Sequence, residues 1–274
     1  MALVPEMAFR KDDSIIHRLH PITKLVFLIC FCILVLVLAN LFFSILFLVL
    51  IVVLMKVARI PLRVFARRAR FIIMFTLILF LLQVVFIDNG KILFWLIPEL
   101  APGIGPFVPV TTLGIERGIV IAFRFLCIIT SSFLFVATTH PNDFAYALMQ
   151  VGLPYRYGFT LITTLRFLPL FGSEFNVVRR AQVARGMETA IRPKNLMRTI
   201  KLTFLPLLVS GMSKVDALSI SMEGRGFGLH KNRTFVRKLR FSGPDAALTI
   251  SIIFITLLLC IWTILISIPV EYHL

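Results

Sequence analysis

The sequence predicts an all-α polytopic membrane protein of about five transmembrane helices, with amphipathic helices on the cytoplasmic side. Three observations carry that prediction. The 274 residues are 59% hydrophobic, and the mean hydropathy of +0.96 lies far above that of a soluble domain. The 27 phenylalanines are a load that lipid-facing surfaces absorb. The net charge of +16 is gathered between apolar runs, which points to cytoplasmic loops facing an anionic leaflet and away from nucleic acid.

Residues 1–21 are polar and mixed in charge, and Pro21 sits where a helix opens without needing its missing N–H. The stretch 25–58 is nearly unbroken apolar sequence. At about 1.5 Å per residue it is too long for one span of a core roughly 30 Å thick, so it predicts two helices turning near Ala39-Asn40. Arg59, Arg63, Arg67, Arg68 and Arg70 follow with no acid among them. They predict a cytoplasmic loop and, with it, a cytoplasmic N-terminus. A third span is expected over 71–87. Residues 88–114, rich in Pro and Gly with a single Lys, read as an external loop in which Trp95 and its neighbours form a short interfacial amphipathic piece.

A fourth span is expected over 118–138, with Arg124 snorkelling toward Arg117 and the outer interface. Asn142 or Asp143 is expected to cap the next helix. Residues 140–240 carry 16 Lys and Arg against 5 Asp and Glu, and their apolar pieces at 157–171 and 199–212 are short or proline-broken. They predict a cytoplasmic-side amphipathic module. A last span over 246–268 leaves the C-terminus outside. The expected organisation is thus 1–139 with four spans, 140–240 as the module and 241–274 with the last span. Cys30, Cys32, Cys127 and Cys260 all sit in apolar runs and read as small buried hydrophobes.

The module says nearly the same thing twice. Phe167-Leu168-Pro169-Leu170 leads to Ala184-Arg185-Gly186, and Phe204-Leu205-Pro206-Leu207 leads to Gly224-Arg225-Gly226. Proline to arginine is 16 positions in the first copy and 19 in the second, a difference of about one helical turn. The pattern reads as two related helices, each opened by its proline and each ending on an arginine between small residues. Small neighbours leave the guanidinium as a projecting planar fork with five donors and a permanent charge. Glycine after it suits a helix end, and a cation there suits the dipole. Two equivalent projecting arginines imply two equivalent receptors, such as the halves of a dimer. Glu188 and Glu223 flank the tripeptides as solvated or locally paired acids.

Other chemistries find no support. The sequence has no glycine-rich phosphate loop, no paired carboxylates within a span, and five scattered His without metal spacing, His17 and His20 being the nearest pair.

With those residues laid out, the sequence resembles the transmembrane T component of energy-coupling factor (ECF) transporters, the importers of cobalt and vitamins. The likeness covers nearly the whole chain. It is carried by Leu19-His20-Pro21-Ile22-Thr23-Lys24, Thr138-Thr139-His140-Pro141-Asn142-Asp143, Arg166-Phe167-Leu168-Pro169, Ala181-Gln182-Val183-Ala184-Arg185-Gly186 and Ser221-Met222-Glu223-Gly224-Arg225-Gly226-Phe227. Gly224 stands where the family often has alanine. The resemblance implies a non-catalytic subunit without cofactor. Two ATP-binding subunits would dock on Arg185 and Arg225 from the cytoplasm, and a separate S component would bind the substrate. Arg166, Pro169, Pro206, Glu188 and Glu223 would support the coupling helices. Their apolar faces (Phe171, Phe175 and Val178; Leu208, Met212 and Val215) would pack on membrane helices, on the S component or on each other. The rival reading is a stand-alone secondary transporter, which would show intramembrane carboxylates or repeated transmembrane halves.

Overall fold

The computed structural model describes residues 14–38, 40–60, 62–87, 91–97, 107–187, 196–229 and 241–267. Among them the chain forms α1 (Ile15–Arg18), α2 (Pro21–Val37), α3 (Leu41–Val57), α4 (Leu62–Phe86), β1 (Ile92–Ile97), β2 (Phe107–Thr111), α5 (Thr112–Thr138), α6 (Pro141–Val151), α7 (Tyr155–Ala184), α8 (Leu196–Gly224) and α9 (Gly243–Ser267). These elements divide into two compact units. One takes the described residues within 8–140 and 240–274, the other those within 141–239.

In the first unit, α2 opens as its sequence predicts. Pro21 stands at the first helical position, and His20 Nδ1 accepts the Ile22 N–H at 3.3 Å. As expected, the apolar run is divided: α2 ends at Val37 and α3 starts at Leu41. Apolar all round, α3 is sided only by packing. Ser44, Phe47, Ile51 and Met55 are buried along one face, whereas Phe42, Ile45, Leu46, Val49, Leu50 and Val53 are exposed along the other. The buried face meets Phe31, Leu34, Val35 and Leu38 from α2 and its end, and Cys127, Leu134 and Ala137 of α5. Cys30 and Cys127 are buried, Cys32 and Cys260 half-buried, and all four are free thiols.

Three expectations change here. The basic stretch after Arg59 is not a loop before a span: α4 starts at Leu62, so Arg63, Arg67, Arg68 and Arg70 belong to its first turns. Arginine is a strong helix former, and no glycine or proline lies between 62 and 71. Trp95 and its neighbours, expected as a short amphipathic piece of an external loop, form a strand. β1 pairs antiparallel with β2, Trp95 opposite Pro109, because Ile92-Leu93-Phe94-Trp95-Leu96-Ile97 is rich in strand formers. The fourth helix begins at Thr112, where the Thr111 hydroxyl accepts the Gly114 N–H at 3.1 Å and donates to the Ile87 carbonyl at 3.0 Å. Gly118 then lets α4 and α5 close up; a Cβ there would lie 3.1 Å from the Phe80 ring. Arg124 is half-buried on α5, and its buried Nε has no hydrogen-bond partner among the described residues.

By length and composition, Thr112–Thr138, Ile200–Gly224 and Gly243–Leu265 are each apolar enough to cross a membrane, and Pro21–Val37, Leu41–Val57 and Arg70–Phe86 are shorter apolar helices. Together they make an all-α polytopic membrane protein.

The second unit holds α6, α7 and α8. Helix α6 starts at Pro141, so Asn142 and Asp143 lie inside its first turn, past the N-cap position expected for them. The 157–171 and 199–212 pieces are not short. They belong to helices of 30 and 29 residues that run through Pro169 and Pro206. Neither proline opens its helix.

Candidate docking site: two arginine-capped helix ends

An interior proline removes one backbone hydrogen bond and costs a helix about 3 kcal/mol. Contacts on the far side of the proline hold α7 in register. Phe171 packs against Gly211 of α8, where a Cβ would sit 3.1 Å from Phe171 Cε1. One turn on, Lys214 Nζ lies 2.6 Å from Glu174 Oε1, and the Ser210 hydroxyl donates to Glu174 Oε2 at 3.1 Å. Lys214 first, then Ser210, hold the Glu174 carboxyl below its ordinary range. At the other end, Phe227, just past α8, packs on Tyr155 and Phe159 with ring centroids 5.8 and 4.6 Å apart. From Phe159 with Phe227, through Phe171 with Gly211, to Glu174 with Ser210, the numbering rises along α7 and falls along α8, so the two helices are antiparallel, the long Lys214 side chain reaching back to Glu174.

Both helices end in the same way. Arg185 is the last half-helical residue of α7, and Gly186 follows with φ +89°. The Met187 N–H reaches Gln182 O at 3.0 Å, and the Gly186 N–H reaches Val183 O at 3.0 Å. After α8, Gly226 has φ +67°. The Phe227 N–H reaches Met222 O at 3.0 Å, and the Gly226 N–H reaches Glu223 O at 2.9 Å. Each pair of bonds is a Schellman motif, in which a left-handed glycine turns the chain and satisfies the last carbonyls. Arg185 and Arg225 thus occupy the same position of the same motif, both exposed, each cation at the negative end of its helix.

The two motifs are also placed alike. Phe171 to Arg185 is 14 positions, and Gly211 to Arg225 is 14. The contact between Phe171 and Gly211 therefore stands equally far in residues from both arginines, and the Glu174–Lys214 pair has the same offset of 40. Because the helices are antiparallel, the arginines lie at opposite ends of the pair. Arg225 sits beside the start of α7, and Arg185 lies 26 positions beyond Phe159. That places the two guanidinium sites roughly 40 Å apart.

Ala184, Gly224 and Glu223 are exposed beside the arginines, as are Arg166 and Pro169; Pro206 is half-buried. Glu188 lies outside the described residues. Phe175 and Val178 are half-buried, whereas Leu208, Met212 and Val215 are exposed. Phe159, Phe167 and Phe171 of α7 face Val215 and Leu218 of α8 across a groove of about 280 Å³. Sequence reasoning missed Glu174, Ser210 and Lys214. Their signal was the offset of 40 positions that Glu174 and Lys214 share with the two arginines. Among the described residues no His, Cys, Asp and Glu side chains gather as a metal site. His20 serves instead as a helix cap.

Residues 12–236 match the family model described as CbiQ, cobalt transport protein. The chain is similar to the energy-coupling factor transporter transmembrane protein EcfT of Lactococcus lactis, 31% identical over 262 residues, covering 92% of this chain and 94% of that one. It is similar as well to the EcfT of Bacillus subtilis, 28% identical over 255 residues with 90% and 93% covered. The EcfT of Streptococcus equi is 31% identical over 257 residues, with 90% of each chain covered.

Proposed function

Since the chain belongs to the CbiQ family and is a T component of the energy-coupling factor type, we propose that it transmits ATP-driven motion from two ATPase subunits to a substrate-binding S component. Arg185 docks in one ATPase subunit and Arg225 in the other. The N-terminus and residues 140–240 lie on the cytoplasmic side, with α8, although long and apolar enough to cross, partly embedded in the membrane surface; the cargo is a micronutrient, a vitamin or a transition-metal ion, chosen by the S component. The chain itself hydrolyses nothing.

One observation carries the reading. Two guanidinium groups in the same capping motif stand at the two ends of one antiparallel helix pair, each 14 residues from the contact between Phe171 and Gly211. Two like receptors held by a dimer demand such a pair of like contacts. A groove that grips arginine does so with carboxylates or carbonyls in a bidentate fork. When such a pair is buried, removing one partner costs about 3–5 kcal/mol.

The test is Arg185→Ala, Arg225→Ala and the double variant, measured by ATPase pull-down and by uptake. Each single variant is expected to weaken docking or uncouple hydrolysis from uptake, and the double variant to abolish uptake. Native uptake in the double variant would overturn the assignment.

A further inference from the structure

The helices of the second unit are inserted into the first between the end of α5 and the start of α9. Both roots of that insertion are gripped by one five-residue segment, His20-Pro21-Ile22-Thr23-Lys24. Lys24 is only 8% exposed. Its ammonium donates to the carbonyl of Thr138, the last residue of α5, at 2.8 Å and to His17 O at 3.2 Å. A buried lysine is stable only with such partners, and a cation belongs at the negative end of a helix whose last carbonyls lack intrahelical donors.

The other root is held through Asp245, also buried. Asp245 Oδ2 accepts the Ser242 N–H at 3.2 Å, the reciprocal half of a capping box at the start of α9. Its Oδ1 accepts the His20 N–H at 3.3 Å. The Thr249 hydroxyl reaches Thr23 Oγ1 at 3.1 Å, and the His20 ring meets the Phe241 ring edge-on at 5.1 Å. The end of α5 is thus capped by Lys24, and the start of α9 is tied to the same turn of α2 through Asp245, across 114 and 225 positions of the chain.

We infer that residues 20–24 are a rigid anchorage that holds the two roots of the inserted helices at a fixed separation, so that motion delivered at the arginine tips is carried into α5 and α9 and is not lost at their ends. Lys24 and Asp245 are its positioning residues. The inference rests on the proposed T-component function, since it assigns the anchorage a role in coupling.

The experiment uses the assembled transporter and reads uptake and ATP hydrolysis in the same preparation. Lys24→Met keeps the apolar stem and removes the donors. It is expected to leave hydrolysis intact while uptake per ATP falls by about tenfold, with Lys24→Arg restoring most of it. A role in folding alone would lower the amount of complex and leave uptake per complex unchanged, which overturns the inference. So does a native ratio of uptake to hydrolysis in Lys24→Met. The second arm is Thr23→Cys with Thr249→Cys, oxidised and mapped by peptide mass spectrometry. A rigid joint forms the disulfide and keeps transporting. Loss of uptake that returns on reduction shows a joint that must open, and failure to cross-link shows residues that are not neighbours; either result overturns the anchorage. Native protein that transports in the same assay keeps the T-component reading standing whichever way these arms fall.

Discussion

At the level of single residues, the glycine after each arginine matters as much as the arginine itself. Gly186 and Gly226 turn the chain in the left-handed region, where a side chain costs roughly 1–2 kcal/mol. Without that turn the Met187 and Phe227 N–H groups lose their carbonyls, and the arginine is no longer presented from a fixed cap. Gly186→Ala is the cleaner test, because a Cβ there meets nothing within 4 Å, whereas one at Gly226 would strike Leu229. Amide exchange at Met187 is expected to quicken by about tenfold in Gly186→Ala; unchanged exchange would show that the cap does not depend on the glycine. This much was legible in the sequence, since Arg-Gly after a helical run is a helix-end signal in its own right. Lys24 was not. Its partner carbonyl lies 114 positions along the chain, and no local pattern connects the two.

Helix ends and helix continuity were unequally visible. The division into α2 and α3 could be read because a 34-residue apolar run exceeds one span. The continuity of α7 and α8 could not, because Pro169 and Pro206 are breakers by local rules. Contacts with a second helix override those rules, and such contacts are not local. The clearest is the Glu174–Lys214 pair with Ser210. Lys214→Glu is expected to set two carboxylates against each other and lower the thermal midpoint of the purified chain. Exchanging the pair, with Glu174→Lys added, should recover most of the loss. If the exchanged variant is no more stable than the single one, the pair does not hold the helices together. The hairpin of β1 and β2 escaped sequence reading for another reason. Four prolines and the glycines around them mark a loop, and they drew attention away from the strand formers on either side.

For the whole molecule, the repeat in the sequence becomes a pair of like helix ends. Two helices that share a proline motif and an arginine end run antiparallel, so the repeated arginine is carried to two well-separated places. A lone transporter has no use for such a pair, and a subunit that meets a dimeric motor requires one. The span matched by the family model, residues 12–236, includes both arginines. The most direct measurement is photocross-linking from Ala181 and Ser221, exposed positions one turn before each arginine, in the assembled transporter. Each position replaced by a photoreactive residue is expected to capture one ATPase chain, and both together to capture two on a single T component. Cross-links that reach only lipid or this chain itself would contradict the account.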